Sequence, residues 1–107
     1  MKRVAFLLKV KKEKMKEYRQ YHANVWPDML AALRRNEFHN HSLFMTDDGL
    51  LFGYFETPAS SEAALAGLAK EEINTQWQKL MGSFFENLGE RLPTEGWIEL
   101  EEVFHQD

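Results

Sequence analysis

Cysteine is absent from the 107-residue chain. That single absence excludes disulfides, thiol catalysis, zinc knuckles and iron–sulfur clusters. It also makes a reducing cytoplasm the expected home. Basic charge is scarce as well: 13 Lys+Arg stand against 17 Asp+Glu, a formal net charge of −4. A mildly acidic chain lacks the positive footprint that nucleic acid or anionic lipid selects, so neither is an expected partner. Long apolar runs are missing too. The longest, Val4 to Leu8, is about five residues, far short of the ~20 that a membrane-spanning helix needs. The opening stretch Met1 to Lys9 pairs positive charge with apolar residues, but Lys9 interrupts it too early for a secretion signal. There is no Gly-rich phosphate loop and no G-x-S-x-G elbow.

What remains is an ordinary globular balance, 44% hydrophobic and 28% charged. The length fits one domain spanning residues 1–107. Lys2 to Val10 reads as a strand, nearly all apolar at its centre. Lys11 to Val25 reads as a helix, with Met15, Tyr18, Tyr21, His22 and Val25 at steps of three and four. Pro27 breaks it near Trp26 and suits the first turn of a second segment, Asp28 to Arg35. Phe38 to Thr46 and Leu50 to Thr57 form a hairpin around Asp47-Asp48-Gly49. Ser60 or Ser61 caps a helix to about Lys70, and a further helix covers about Glu71 to Asn87. A polar loop, Gly89 to Gly96, then leads to a last strand, Trp97 to Phe104.

The order β-α-β-β-α-β predicts an α+β, ferredoxin-like fold: a four-stranded antiparallel sheet with its helices on one face. Yet strands one and three carry apolar residues on both faces. Phe6 and Leu8 oppose Leu7; Phe52 and Tyr54 oppose Leu51 and Phe55. The uncovered face predicts a homodimer with sheets packed together, a dimeric α/β-barrel type of assembly.

Fourteen aromatics and four histidines are the chemical resource. Aromatic walls with a few polar groups suit a sugar-like ligand, although aromatics also serve simply as core. Tyr18 and His22 stand at i, i+4 and share a helix face, a plausible proton-handling pair. His22 falls in the last turn before Pro27, where a helix C-terminus favours the imidazolium; a histidine that merely caps the helix would look the same. His39 and His41 alternate along a strand and so share a face; with His22 they could be read as three metal ligands. No carboxylate obviously converges with them, so no metal is expected. His105, near the terminus, reads as solvated.

At these residues the chain resembles the L-rhamnose mutarotase family over nearly its whole length. The likeness is carried by Tyr18-x-x-x-His22-x-x-x-Trp26-Pro27, His39-Asn40, Leu50-Leu51-Phe52, Trp77-x-x-x-Met81 and Glu102-Val103-Phe104. The resemblance implies a dimeric ferredoxin-like fold, no metal and no cofactor, and interconversion of the α and β anomers of a deoxyhexose. It implies that His22 is the proton donor, that Tyr18 contacts the sugar and that Trp77 lines the pocket. Trp26 is a second candidate for stacking on the sugar. Two positions depart from the family's pattern. His41 stands where well-known members have tyrosine, and Gln78 stands where they have a second tryptophan. The resemblance places both against the sugar, so the identity of the sugar turns on them. The same scaffold also suits a cofactor-independent monooxygenase or a non-catalytic small-ligand binding module.

Overall fold

A computed structural model describes residues 1–87 and 97–107. The expected loop Gly89 to Gly96 lies outside the described residues. Strand β1 is Lys2–Lys9, followed by a 3-10 turn at Lys12–Lys14 and helices α1, Met15–Ala23, and α2, Pro27–Arg35. Strands β2, His39–Met45, and β3, Leu50–Thr57, precede helices α3, Ser61–Ala69, and α4, Glu72–Gly82; β4 is Ile98–Leu100. The sheet order is β2-β3-β1-β4, with every pairing antiparallel. This is the α+β arrangement the element order predicts.

Local chemistry explains where the elements stop. Trp26 precedes a proline and takes an extended conformation (φ −54°, ψ 133°), so α1 cannot run into α2. Pro27 occupies the first helical position, where a missing N–H costs nothing. Ser60 accepts a hydrogen bond from the Ala63 N–H and caps α3. At the hairpin, Gly49 has φ +95° and lies against the Val10 carbonyl, which leaves no room for a Cβ. Helix α4 stops at Gly82 rather than at Asn87. Phe85 is drawn off to bridge Val10, with Lys11 N–H donating to Phe84 O and Glu86 N–H to Lys9 O. The last strand is three residues long. Past Leu100 the chain is held to β1 by side chains instead, the Arg3 guanidinium gripping both Glu102 oxygens at 2.7 and 2.8 Å.

Burial along β1 and β3 alternates despite their apolar composition. Val4, Phe6, Leu51 and Phe55 are buried under the helices with Met15, Tyr18, Met29, Ala32, Leu68, Trp77 and Met81. Ala5, Leu7, Phe52 and Tyr54 face the other way, and in the single chain Phe44 and Phe52 are exposed there. Each fully buried large apolar side chain contributes about 1.5–3 kcal/mol, so the helix-covered face is what drives folding of the single chain. Arg35 and Asn36, at the end of α2, bind the Glu71 carboxylate just before α4 and fasten those two helices at one end.

Candidate active site

Between the helices and the sheet lies a cavity of about 890 Å³. Phe6, Leu8, Leu43 and Leu51 of the sheet form its floor, and side chains of all four helices form its walls. Tyr18 and His22 enter from α1. Their i, i+4 spacing brings the rings into a stack, with centroids 4.1 Å apart and planes 24° from parallel. His22 Nδ1 is 2.9 Å from the Tyr18 carbonyl oxygen. A carbonyl only accepts, so Nδ1 carries the hydrogen and Nε2 is the nitrogen free to exchange a proton.

Helix α4 supplies the facing wall. Asn74, Trp77, Gln78 and Met81, at steps of three and four, all line the cavity. Trp77 is buried and meets the His22 ring edge-on, with centroids 5.4 Å apart. Gln78 donates to Asn74 Oδ1 at 3.2 Å, which holds its amide along the wall. Asn74 is a site residue that the sequence reading missed. Its one signal was the shared helix face with Trp77 and Gln78.

Five of the six expected ligand-contacting or catalytic residues come together here: Tyr18, His22, His41, Trp77 and Gln78. Trp26 does not. It lies between α1 and α2, one turn beyond His22, and packs edge-on against Trp77 at 4.9 Å. It is not among the described residues that line the cavity.

The expected alternation of His39 and His41 also fails. The β2–β3 register runs from His39↔Glu56 to Ser42↔Tyr54, so one extra residue is accommodated in β2. Asn40 takes φ +48°, and its amide donates to Glu56 at 2.9 Å. The bulge sends the two histidines apart. His39 pairs with the Glu37 carboxylate at 2.9 Å, whereas His41 stands on the cavity's open wall against Phe38 and Phe55. Among the described residues, no three His, Cys, Asp or Glu side chains gather as metal ligands.

Electrostatics follow from what lines the cavity. Among the described lining residues there is no Asp, Glu, Lys or Arg; only Tyr18, His22 and His41 titrate. Burial pushes the Tyr18 phenol far above its ordinary value, so it keeps its proton at neutral pH. That removes Tyr18 as a proton acceptor and leaves it as a donor of hydrogen bonds. Burial lowers His22 below the ordinary 6.5, partly offset by its bond to the Tyr18 carbonyl. The helix end was expected to favour the imidazolium; desolvation outweighs it. His41 is exposed at the cavity's mouth, yet the apolar residues around it desolvate it enough to lower it, and the charge of His22 lowers it further.

An α+β domain with two imidazoles, a phenol, two amides and a buried indole around one uncharged cavity defines a class. Such a lining suits a neutral, hydroxylated small molecule. A family model described as L-rhamnose mutarotase matches residues 3–106. The L-rhamnose mutarotases of Oceanobacillus iheyensis and Bacillus subtilis are 34% and 33% identical, each alignment covering 100% of both chains. The crystal structure of an L-rhamnose mutarotase from Formosa agariphila superposes with a TM-score of 0.79 at 26% identity, again covering 100% of both chains. The chain belongs to the L-rhamnose mutarotase family, isomerases that act on carbohydrates. The monooxygenase and binding-module readings are not favoured.

Proposed function

We propose that this chain interconverts the α and β anomers of L-rhamnose, or of a closely related deoxyhexose, by acid–base ring opening and closure. The observation that carries the reading is the stacked Tyr18–His22 pair with Trp77 edge-on against the His22 ring, all three lining a cavity whose described residues carry no formal charge. Mutarotation needs a proton removed from the anomeric hydroxyl and one delivered to the ring oxygen. His22 Nε2 is the donor. Desolvation makes its imidazolium a stronger acid than a solvated histidine. Trp77 stacks on the sugar's C–H face, while Tyr18, His41 and Gln78 meet its hydroxyls. The chemistry calls for neither metal nor cofactor.

The same reading includes a homodimer working in the cytoplasm. Its support is the outer sheet face, where Phe44 (62% exposed), Phe52 and Leu100 stand beside Leu7 and Tyr54. A second copy laid sheet to sheet would cover that apolar face.

Saturation-transfer NMR on L-rhamnose, with and without protein, tests the activity directly. Anomer exchange should accelerate in proportion to protein. His22→Asn should lose ~10²-fold or more, since a general acid typically contributes that much. Tyr18→Phe should lose less. A wild-type chain that leaves exchange unchanged removes the reading, and a fully active His22→Asn removes His22 from it.

A further inference from the structure

Mutarotation needs two proton-handling groups that trade roles between opening and closure. The cavity offers few. Of the three titratable side chains among its described lining residues, Tyr18 keeps its proton, which leaves His22 and His41. His22 enters from a helix and His41 from the sheet, so a ring held between them presents different atoms to each. The β2 bulge is what delivers His41. Without the left-handed Asn40, regular alternation would keep His41 on the face of His39, whose imidazole is engaged by Glu37.

We propose that His41 is the second catalytic residue, and that His22 and His41 hold one proton between them and pass it through the sugar. The inference rests on the mutarotase reading and adds the missing partner to it. In opening, the His22 imidazolium protonates the ring oxygen as the C1–O5 bond breaks and its electron pair goes to O5. The neutral His41 imidazole takes the O1 hydroxyl proton, and the electrons of that O–H bond form the C1=O1 double bond. The proton has then moved from His22 to His41. The aldehyde turns about C1–C2. In closure His22 takes the proton from O5, O5 attacks the other face of C1, and His41 returns its proton to O1. The pair ends as it began, with no proton borrowed from water.

The surroundings favour a singly protonated pair. From α1, His41 faces His22 and Tyr18; the described residues lining the cavity from α2, α3, α4, β1 and β3 include no ionisable group. The nearby carboxylates are occupied, Glu56 by Asn40 and Tyr54, and Glu37 by His39. His22 is the charge that acts on His41, so a second proton on the pair is opposed.

The test is exchange of L-rhamnose measured by saturation transfer from pH 5 to 8.5 for wild type, His22→Asn, His41→Gln and the double variant, with histidine ring signals followed by NMR. Wild type should show a bell centred on the acid side of the ordinary 6.5. His41→Gln should lose ~10²-fold in kcat with KM nearly kept, and one limb of the bell should vanish. The double variant should be little worse than either single one, as for residues that act as a unit. In His41→Gln the apparent pKa of His22 should rise, because a like charge has gone. His41→Asn serves if the glutamine variant fails to fold. A His41→Gln that keeps both rate and bell overturns the proposal while leaving His22 in place. A wild-type chain that does not accelerate exchange overturns the mutarotase reading itself, and this one with it.

Discussion

Replacing Gly53 by alanine, one added methyl, should destabilise the protein measurably. Gly53 sits opposite Phe6 in the β1–β3 register, and the Phe6 ring lies directly over it. A Cβ there would overlap three ring carbons of Phe6. The ring cannot easily yield: it is buried, stacked on Trp97 with centroids 3.8 Å apart and set against Phe55. Overpacking of this kind costs about 1–3 kcal/mol, against which the stiffer unfolded chain of alanine restores about 0.4–1 kcal/mol. A net loss of about 1–2 kcal/mol lowers Tm by about 4–16 °C in a domain of this size. Thermal unfolding followed by circular dichroism measures it. Gly82→Ala is the contrast, since nothing lies within 4 Å of its would-be Cβ at the end of α4, and it should melt no lower than wild type. Phe6 and Trp97 both line the cavity, so Gly53→Ala should also raise KM for the sugar. A Gly53→Ala protein that melts within about 2 °C of wild type, or above it, refutes the packing argument.

Three further outcomes are expected. Phe44→Glu with Phe52→Glu should convert a dimer to monomer in sedimentation at micromolar concentration, because charge is placed on the apolar outer face; a wild-type chain already monomeric there removes the dimer. Gln78→Trp should shift exchange rates toward L-rhamnose and away from L-fucose, L-mannose or D-galactose by about 2- to 12-fold, since an exposed amide at the cavity wall gives way to an aromatic surface whose contacts contribute about 0.5–1.5 kcal/mol; an unchanged ranking takes position 78 out of specificity. The fold should weaken in mild acid. His22 and His41 titrate lower in the folded than in the unfolded chain, so stability present above 6.5 is lost as pH falls toward their folded values. Urea midpoints at pH 7.5 and 5.5 should differ less for the His22→Asn/His41→Gln variant than for wild type, and an equal drop in both would discount the two histidines.

The elements with strong local signals were legible in the sequence. Pro27 marked the break before α2, Asp47-Asp48-Gly49 the hairpin, and the span Leu50 to Thr57 matches β3 at both ends. Tyr18 with His22 was legible because helical spacing alone puts the pair on one face, whereas Trp77 and Gln78, adjacent in the chain, were legible only through the family resemblance. Contacts between distant elements were not. Nothing local to Phe85 says that Val10 will claim it and end α4 early. Period-two alternation put His39 beside His41, but the hydrogen bond from Asn40 to Glu56, sixteen residues away, supports a bulge that separates them. The charge states of Tyr18 and His22 depend on tertiary burial, which a sequence spacing does not report.

The absence of formal charge among the described residues around the cavity also determines which molecules are turned away. A sugar phosphate or a sugar acid would surrender its hydration with no guanidinium or ammonium among those residues to receive it. An ion so placed is disfavoured by several kcal/mol. The free aldose, which carries no charge, enters without that penalty and is held by weak contacts that background salt hardly alters. Such a catalyst handles its sugar only before phosphorylation or oxidation has taken place. An enzyme that phosphorylates or oxidises the same sugar from one anomer alone would draw it from a pool kept in balance.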